Sequence, residues 1–162
     1  MAARTLVEER IRGLGRAIGR NLAPVDLVLK PANPQVRQHL FEEACELYWN
    51  ELSWEEITDE ELVGDDELTA MVFPALLAFI DALLPRAPNG EPDRDKEHRD
   101  VAHDFLVWLA ARLVELRNGR PEDNGDWARL RRQTAVTDEL IDLVAFRLCS
   151  LDGDEIARYE DQ

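Results

Sequence analysis

The sequence predicts an all-α protein that folds as a single-domain bundle of six to seven helices. Apolar residues recur at steps of three and four along most of the chain, which is the spacing of the buried face of a helix. Proline, glycine and Asn-Gly signals interrupt this spacing where helices end. Because 162 residues suffice for one hydrophobic core, we expect residues 1–162 to form a single helical domain.

A basic first helix is predicted over residues 5–22. Thr5 is the expected N-cap, the apolar stripe runs from Leu6 to Leu22, and Pro24 ends the helix. The opposite side carries arginines at steps of four, namely Arg12, Arg16 and Arg20. These three residues are our first candidates for partner binding.

The second helix is expected to begin after Asn33, an N-cap residue followed by Pro34 at the first helical position. Its apolar face would hold Val36, Leu40, Phe41, Ala44, Leu47 and Tyr48. Two capping-box patterns then start at Ser53 and Thr58. They predict short helical turns between residues 53 and 63.

A central helix is predicted from residue 66 to residue 84, and its sequence is apolar nearly all round. Pro74 should kink or split this helix, because proline lacks an N–H and clashes with the preceding turn. Residues 85–95 contain three prolines and one Asn-Gly pair. We expect this segment to be a mobile loop.

Two long helical patterns follow. The first covers residues 96–117, with an inner face made of Val101, Phe105, Trp108, Leu109, Leu113 and Leu116. The second starts at Trp127 and either continues or restarts at Thr137. Asp152 and Gly153 should break it, leaving a short final helix over residues 154–159.

The net charge of −15 is unevenly distributed. Residues 1–37 hold seven basic and three acidic side chains, so the acidic body over residues 38–162 carries −19. Nucleic-acid affinity depends on basic side chains that displace counterions. We therefore expect direct nucleic-acid binding only through the N-terminal arginine stripe, for which contact with the acidic body or a protein partner is the preferred interpretation.

An acidic run between Ser53 and Leu68 has eight acids and no base. It supplies the other candidates for partner binding, which are Glu55, Glu56, Asp59, Glu60, Asp65 and Asp66. A solvated surface is the preferred interpretation. The alternative is an acidic DNA mimic, whose carboxylates occupy the DNA-binding cleft of another enzyme.

Weak metal candidates lie on the second helix. Glu42, Glu43 and Glu46, with Asp59 further on, imitate the carboxylate pairs that hold magnesium in all-helical nucleotide pyrophosphohydrolases. Their spacing is shorter than in that family, so a solvated acidic face is preferred and no metal or other cofactor is expected. The adjacent His103 and Asp104 invite a metal hypothesis too, but His98 lies five residues away and points elsewhere around the helix.

The cysteines and the absence of targeting signals predict a cytoplasmic protein. Cys45 and Cys149 lie inside apolar helical patterns, as expected for reduced core thiols in a reducing compartment. The first residues lack the apolar run of a signal peptide. The apolar stretch from Met71 to Leu84 is too short to cross a membrane.

The C-terminal third has an order of residues that is more informative than its composition. An Ile-Asp pair, an aromatic-x-Leu step and a Glu-Ile helix are carried by Ile141, Asp142, Phe146, Leu148, Leu151, Glu155, Ile156 and Glu160. This order resembles the C-terminal tail of the large N6-adenine DNA methyltransferases of type IIG restriction-modification and related phage-defence systems. Cys149 and Ser150 depart from that family's usual aromatic and glycine. Residues 103–110, with Leu113, Glu115 and Leu116, are similar to the helix that precedes the tail.

This resemblance covers about residues 100–160 and implies a biological system rather than a chemistry, because the tail is scaffold in that family. The chain lacks an Asn-Pro-Pro-aromatic segment, a methyl-donor loop, a P-loop, a nuclease carboxylate set and a catalytic triad. We therefore expect no catalytic residues. The predicted function is that of a non-catalytic accessory or adaptor protein of a DNA-modification or phage-defence system, with a protein partner that supplies the enzymatic activity.

Overall fold

The computed structural model describes residues 3–19, 22, 33–54, 73–93, 96–119 and 127–160. This part of the chain forms α1 (Ala3–Ile18), α2 (Pro34–Trp54), α3 (Pro74–Leu83), α4 (Arg99–Asn118), α5 (Trp127–Leu148) and α6 (Gly153–Glu160). Within these ranges there is no strand, and an isolated antiparallel bridge joins Arg86 to Pro92. The predicted all-α bundle is confirmed, with six helices in the described ranges.

Helix α4 lies at the centre of the bundle and packs against α1, α2, α3 and α5. The core residues Val101, Phe105, Leu109 and Leu113 have no exposed surface, as the spacing of apolar residues on this helix predicts. Helix α5 is continuous from Trp127, so it does not restart at Thr137. It packs along α4 and contributes to the same hydrophobic core.

Both predicted ends of the first helix are wrong. Helix α1 begins at Ala3, which places Thr5 inside the helix instead of at the N-cap. It ends at Ile18, before residue 22, because Gly19 adopts a left-handed conformation with φ of 75°. Glycine reaches this conformation without a Cβ clash, and it commonly ends helices there.

The predicted start of the second helix is confirmed. The Asn33 side-chain oxygen accepts a hydrogen bond of 2.9 Å from the Gln35 N–H, and Pro34 is the first helical residue. Val36 was placed on the buried face and is instead 45% exposed. All residues from 33 to 36 are exposed, so the first turn projects past the core and the buried stripe starts further along α2.

Helix α2 continues to Trp54, so the prediction that Ser53 caps a new helix is wrong. The remainder of the predicted turns, from residue 55 to residue 63, lies outside the described residues. Residues 66–72 of the predicted central helix also lie outside them.

Pro74 is the first residue of α3, with Phe73 as its N-cap. The predicted split of a longer helix at Pro74 stays a prediction, because the part before Phe73 lies outside the described residues. Glu51 of α2 stabilises the start of α3. Its buried carboxylate accepts hydrogen bonds from the backbone N–H groups of Ala75, at 3.1 Å, and Leu76, at 2.6 Å. The first N–H groups of a helix have no partner within the helix, so Glu51 caps α3 from a neighbouring helix.

The segment after α3 is a compact, hydrogen-bonded turn. Ala87 N–H donates to the Glu91 carbonyl at 2.8 Å, and Asp93 N–H donates to the Pro85 carbonyl at 2.9 Å. Gly90, with φ of 87°, lies at the tip. These hydrogen bonds describe one conformation of the segment. The mobility expected for residues 85–95 stays a prediction.

The turn between α5 and α6 lies in the middle of the segment that carries the family resemblance, with four of its residues in α5, Leu151 in the turn and three in α6. Leu151 N–H donates to the Phe146 carbonyl at 3.0 Å, and Ser150 N–H donates to the Arg147 carbonyl at 3.1 Å. This pair of bonds forms a Schellman motif, in which the residue after the cap is left-handed and usually glycine. Here that residue is Ser150, with φ of 56°.

Helix α6 starts with a capping box. Asp152 accepts a hydrogen bond from the Glu155 N–H at 2.8 Å, and Glu155 accepts one from the Asp152 N–H at 3.1 Å. Leu151 and Ile156 occupy the positions of the hydrophobic staple that often accompanies this motif. The residues of the resemblance that lie here are therefore helix-end and core positions.

Replacing Ser150 with glycine is expected to raise the free energy of unfolding by about 0.5 kcal/mol. Relief of roughly 1 kcal/mol of left-handed strain is partly offset by the greater backbone freedom of glycine in the unfolded chain. Chemical denaturation measures the change. Ser150→Ala is the matched control, because it removes the hydroxyl and keeps the strain; a gain of equal size in this variant would contradict the explanation.

Among the described helices, none is both long and apolar enough to span a membrane.

Candidate functional site

A groove between the end of α4 and the first half of α5 is the candidate functional site. Its volume is about 400 Å³. The lining residues are Leu116, Arg117, Gly119, Trp127, Leu130, Arg131, Thr134, Ala135 and Asp138. Leu116, Leu130 and Ala135 contribute apolar surface to it, and we call the more exposed charged residues Arg117, Arg131 and Asp138 its rim.

The local sequence explains how the groove forms. Gly119 follows α4, and a Cβ at this position would lie 3.1 Å from the Glu115 carbonyl oxygen, which only a shift of the helix end could relieve. The Leu130 side chain approaches the same point to 3.8 Å. The Thr134 hydroxyl donates to the Leu130 carbonyl at 2.7 Å, so it is satisfied within α5 and leaves the groove largely apolar.

Trp127 is the most exposed large apolar side chain at this site, with 55% of its surface accessible. It is the first residue of α5, where no further turn of the helix covers it. The sequence pattern placed Trp127 at the start of a helix but did not predict that its ring is exposed.

The groove lies in a locally basic part of an acidic protein. Residues 112–138 contain six arginines and five acids, so this stretch has a charge of +1 and the rest of the chain has −16. One of these arginines and three of the acids belong to residues 120–126, outside the described residues. The described part of this stretch therefore carries +3, and the residues that line the groove carry +1.

Asp138 connects the groove to α1. Its carboxylate accepts a hydrogen bond of 2.8 Å from Arg10, whose guanidinium also lies 3.3 Å from Asp142. Burial alone would lower the pKa of Arg10, but the charges of Asp142 and Asp138 together outweigh this effect and raise it. Arg117 lies 3.8 Å from the same Asp138 oxygen, which is too long for a hydrogen bond.

The predicted arginine stripe is only partly described. Arg12 and Arg16 are exposed on α1, and Arg20 lies outside the described residues. No ion pair of Arg12 or Arg16 occurs within the described ranges. Their role in partner binding stays a prediction.

The predicted acidic surface cannot be placed. Glu55, Glu56, Asp59, Glu60, Asp65 and Asp66 all lie outside the described residues. The DNA-mimic alternative depends on the arrangement of these carboxylates, and it therefore also stays a prediction.

The weak metal candidates on α2 are exposed. Glu42, Glu43 and Glu46 face solvent, and Glu42 accepts a hydrogen bond of 3.0 Å from Gln38. Asp59 lies outside the described residues. Across the described ranges, no three His, Cys, Asp or Glu side chains are grouped so that they could hold a metal ion.

Asp104, which is adjacent to His103, is engaged by a contact within the protein. Arg37 of α2 donates two hydrogen bonds to the Asp104 carboxylate, at 2.7 Å and 2.8 Å. The bond to Asp104 is the main cause that raises the pKa of Arg37. Burial lowers the pKa of His103, against the opposing charge of Asp104. The Asp104 carboxylate therefore connects α2 to α4 through Arg37.

An aromatic cluster between α2 and α4 is a second feature that sequence spacing did not predict. Trp49 is 45% exposed, and its ring meets those of Tyr48 and Trp108 edge to face. The Arg112 guanidinium lies 4.6 Å from the Trp49 ring centre, within cation–π range. The buried Tyr48 hydroxyl bonds to the Thr137 hydroxyl at 2.7 Å, which ties this cluster to α5.

The two cysteines are free thiols in the structure. Cys149 is buried and Cys45 partly buried, and burial, with a smaller effect of Glu42, raises the pKa of Cys45 to about 12. Since the thiolate is the reactive form, Cys45 is a poor nucleophile at neutral pH.

Comparison with known proteins gives no family for this chain. No protein-family model matches it, and no curated protein and no solved structure is significantly similar to it.

Proposed function

We propose that this protein is a non-catalytic accessory or adaptor protein of a DNA-modification or phage-defence system. It acts by protein-protein contact, and the partner supplies the enzymatic activity. The observation that carries the proposal is the open apolar groove between α4 and α5, bordered by the exposed Trp127 and by Arg117 and Arg131.

The composition of the groove favours a protein as the bound molecule. Tryptophan and arginine are the residue types most enriched at the energetic centres of protein interfaces. An exposed tryptophan beside an apolar depression also loses unfavourable contact with water when a partner covers it. Arg117 and Arg131 can then fix the orientation of the partner through hydrogen bonds at the rim.

The resemblance to methyltransferase tails supports the choice of biological system. Both walls of the groove lie within the part of the chain that carries it. Ser150 replaces the family's glycine and adopts a left-handed conformation, as a glycine at that position would do readily. Asp142 and Phe146 have roles in an ion pair and an aromatic contact, which suits a scaffold.

Affinity capture from the native host, followed by mass spectrometry, tests the proposal. The wild-type protein should recover a methyltransferase, a nuclease or another defence component. Trp127→Ala should lose it, whereas Val36→Ala, which trims an exposed apolar side chain on α2, should retain it. Because Trp127 and Val36 are both exposed, neither change should unfold the protein.

Other results would contradict the proposal. Recovery of no defence component would remove its basis. A complex that duplex DNA displaces competitively would favour the DNA-mimic alternative instead. Metal-dependent release of pyrophosphate from nucleoside triphosphates that Glu43→Ala abolishes would show an enzyme.

A further inference from the structure

We infer that the groove between α4 and α5 binds an acidic segment of the partner protein, anchored by one bulky apolar side chain. This inference rests on the proposed adaptor function and adds the chemistry of the partner. It follows from the volume of the groove, the charge at its rim and the contacts that already engage Asp138.

The volume limits what enters the groove. About 400 Å³ lies near the lower end of the roughly 300–1,000 Å³ of ligand pockets. The walls formed by Leu116, Leu130 and Ala135 offer apolar contact but few polar groups. One bulky side chain of an extended or helical segment fits these properties, since burying such a residue contributes about 1.5–3 kcal/mol.

The two arginines at the rim favour a partner segment with acidic residues beside its apolar side chain. Arg131 is exposed, and half of the Arg117 side chain is accessible. Arg10 already holds Asp138 at 2.8 Å, while Arg117 remains 3.8 Å away from it. Arg117 is therefore only weakly engaged and can donate hydrogen bonds to a carboxylate of the partner, the strong charge-assisted kind.

The charge outside the groove disfavours a nucleic acid as the occupant. Outside residues 112–138 the chain carries −16, which repels a long phosphate backbone as it approaches. A short acidic segment carries few charges and can place them all near Arg117 and Arg131. The basic rim then adds specificity and speeds association.

Selection from a random-peptide display library tests this inference. The wild-type protein should enrich peptides that combine several acids with one Leu, Ile, Phe or Trp. Fluorescence polarisation with the best labelled peptide should show a dissociation constant that rises with salt. Arg117→Glu combined with Arg131→Glu should weaken its binding about tenfold or more, equivalent to about 1.4 kcal/mol.

Matched variants separate the groove from general charge. Arg4→Glu combined with Lys96→Glu makes the same change of charge at two exposed positions elsewhere, and it should leave peptide binding within about twofold, since distant exposed charges are screened. Trp127→Ala should weaken binding without a change of rim charge. Circular dichroism of each variant checks that the helices are intact.

Several outcomes would overturn the inference. These are enrichment of basic or uncharged peptides, no enrichment at all, or binding that the Arg117 and Arg131 variant leaves unchanged. A doubled mass in light scattering that Trp127→Ala abolishes would assign the groove to a second copy of this chain.

The two proposals can fail separately. If affinity capture recovers a defence component equally well with the Arg117→Glu, Arg131→Glu variant, the adaptor function stands and the inference fails. If acidic peptides bind the groove but no defence component is captured, the inference stands and the assignment to a defence system fails.

Discussion

Replacing Glu51 with alanine is expected to lower the free energy of unfolding by about 3 kcal/mol. Its carboxylate is buried and accepts hydrogen bonds from two N–H groups at the start of α3, those of Ala75 and Leu76. Each hydrogen bond to a charged group contributes roughly 1.5–3 kcal/mol, and loss of a helix cap alone costs about 1 kcal/mol. Alanine leaves both N–H groups without an acceptor.

Urea denaturation of three variants measures this effect. Glu51→Gln keeps one side-chain oxygen as an acceptor, so it should lose only about half as much stability as Glu51→Ala. Glu43→Ala removes an exposed carboxylate from the same helix and should change stability by no more than about 0.5 kcal/mol. Equal losses for Glu51→Ala and Glu43→Ala would show that the cap contributes nothing.

Local signals in the sequence predicted most helices, because each signal acts within a few residues. Asn33 and Pro34 set the start of α2, and Pro74 sets the start of α3. The end of α1 was missed for a similar local reason. Gly19 ends the helix by turning left-handed, so Pro24 is not needed as a stop signal.

The contacts between helices could not be predicted from spacing. Arg37 and Asp104 are 67 residues apart, and Arg10 and Asp138 are 128 residues apart. An arginine on a helix face has the same local signature whether it faces solvent or a distant carboxylate. Spacing therefore did not single out Arg10, which turns toward α5 and bonds to Asp138.

The groove was missed because it is a property of two helices together. Apolar residues of α4 and α5 all match the pattern of a buried face, and only their packing shows that Trp127 is 55% exposed. Periodicity predicts which side of a helix is apolar. It does not predict whether a neighbouring helix covers the apolar side along its whole length.

Replacing Arg10 with methionine is expected to lower the free energy of unfolding by about 2 kcal/mol. This value lies between the roughly 0–1 kcal/mol of an exposed ion pair and the 3–5 kcal/mol of breaking a buried one. The Arg10 side chain is only 20% exposed, whereas Asp138 is 41% exposed and remains partly hydrated when its partner is lost. Methionine preserves much of the apolar packing of the arginine stem.

A double-mutant cycle isolates the contact between α1 and α5. Arg10→Met and Asp138→Asn should each destabilise the protein, and together they should cost less than the sum, with a coupling of about 1 kcal/mol. Arg10→Met also removes the partner of Asp138, which can then pair with Arg117. Because Arg117 would no longer be available to the peptide, peptides selected by the groove should bind more weakly to this variant. Additive losses of stability, with unchanged peptide binding, would show that Arg10 neither links α1 to α5 nor keeps Arg117 available to a partner.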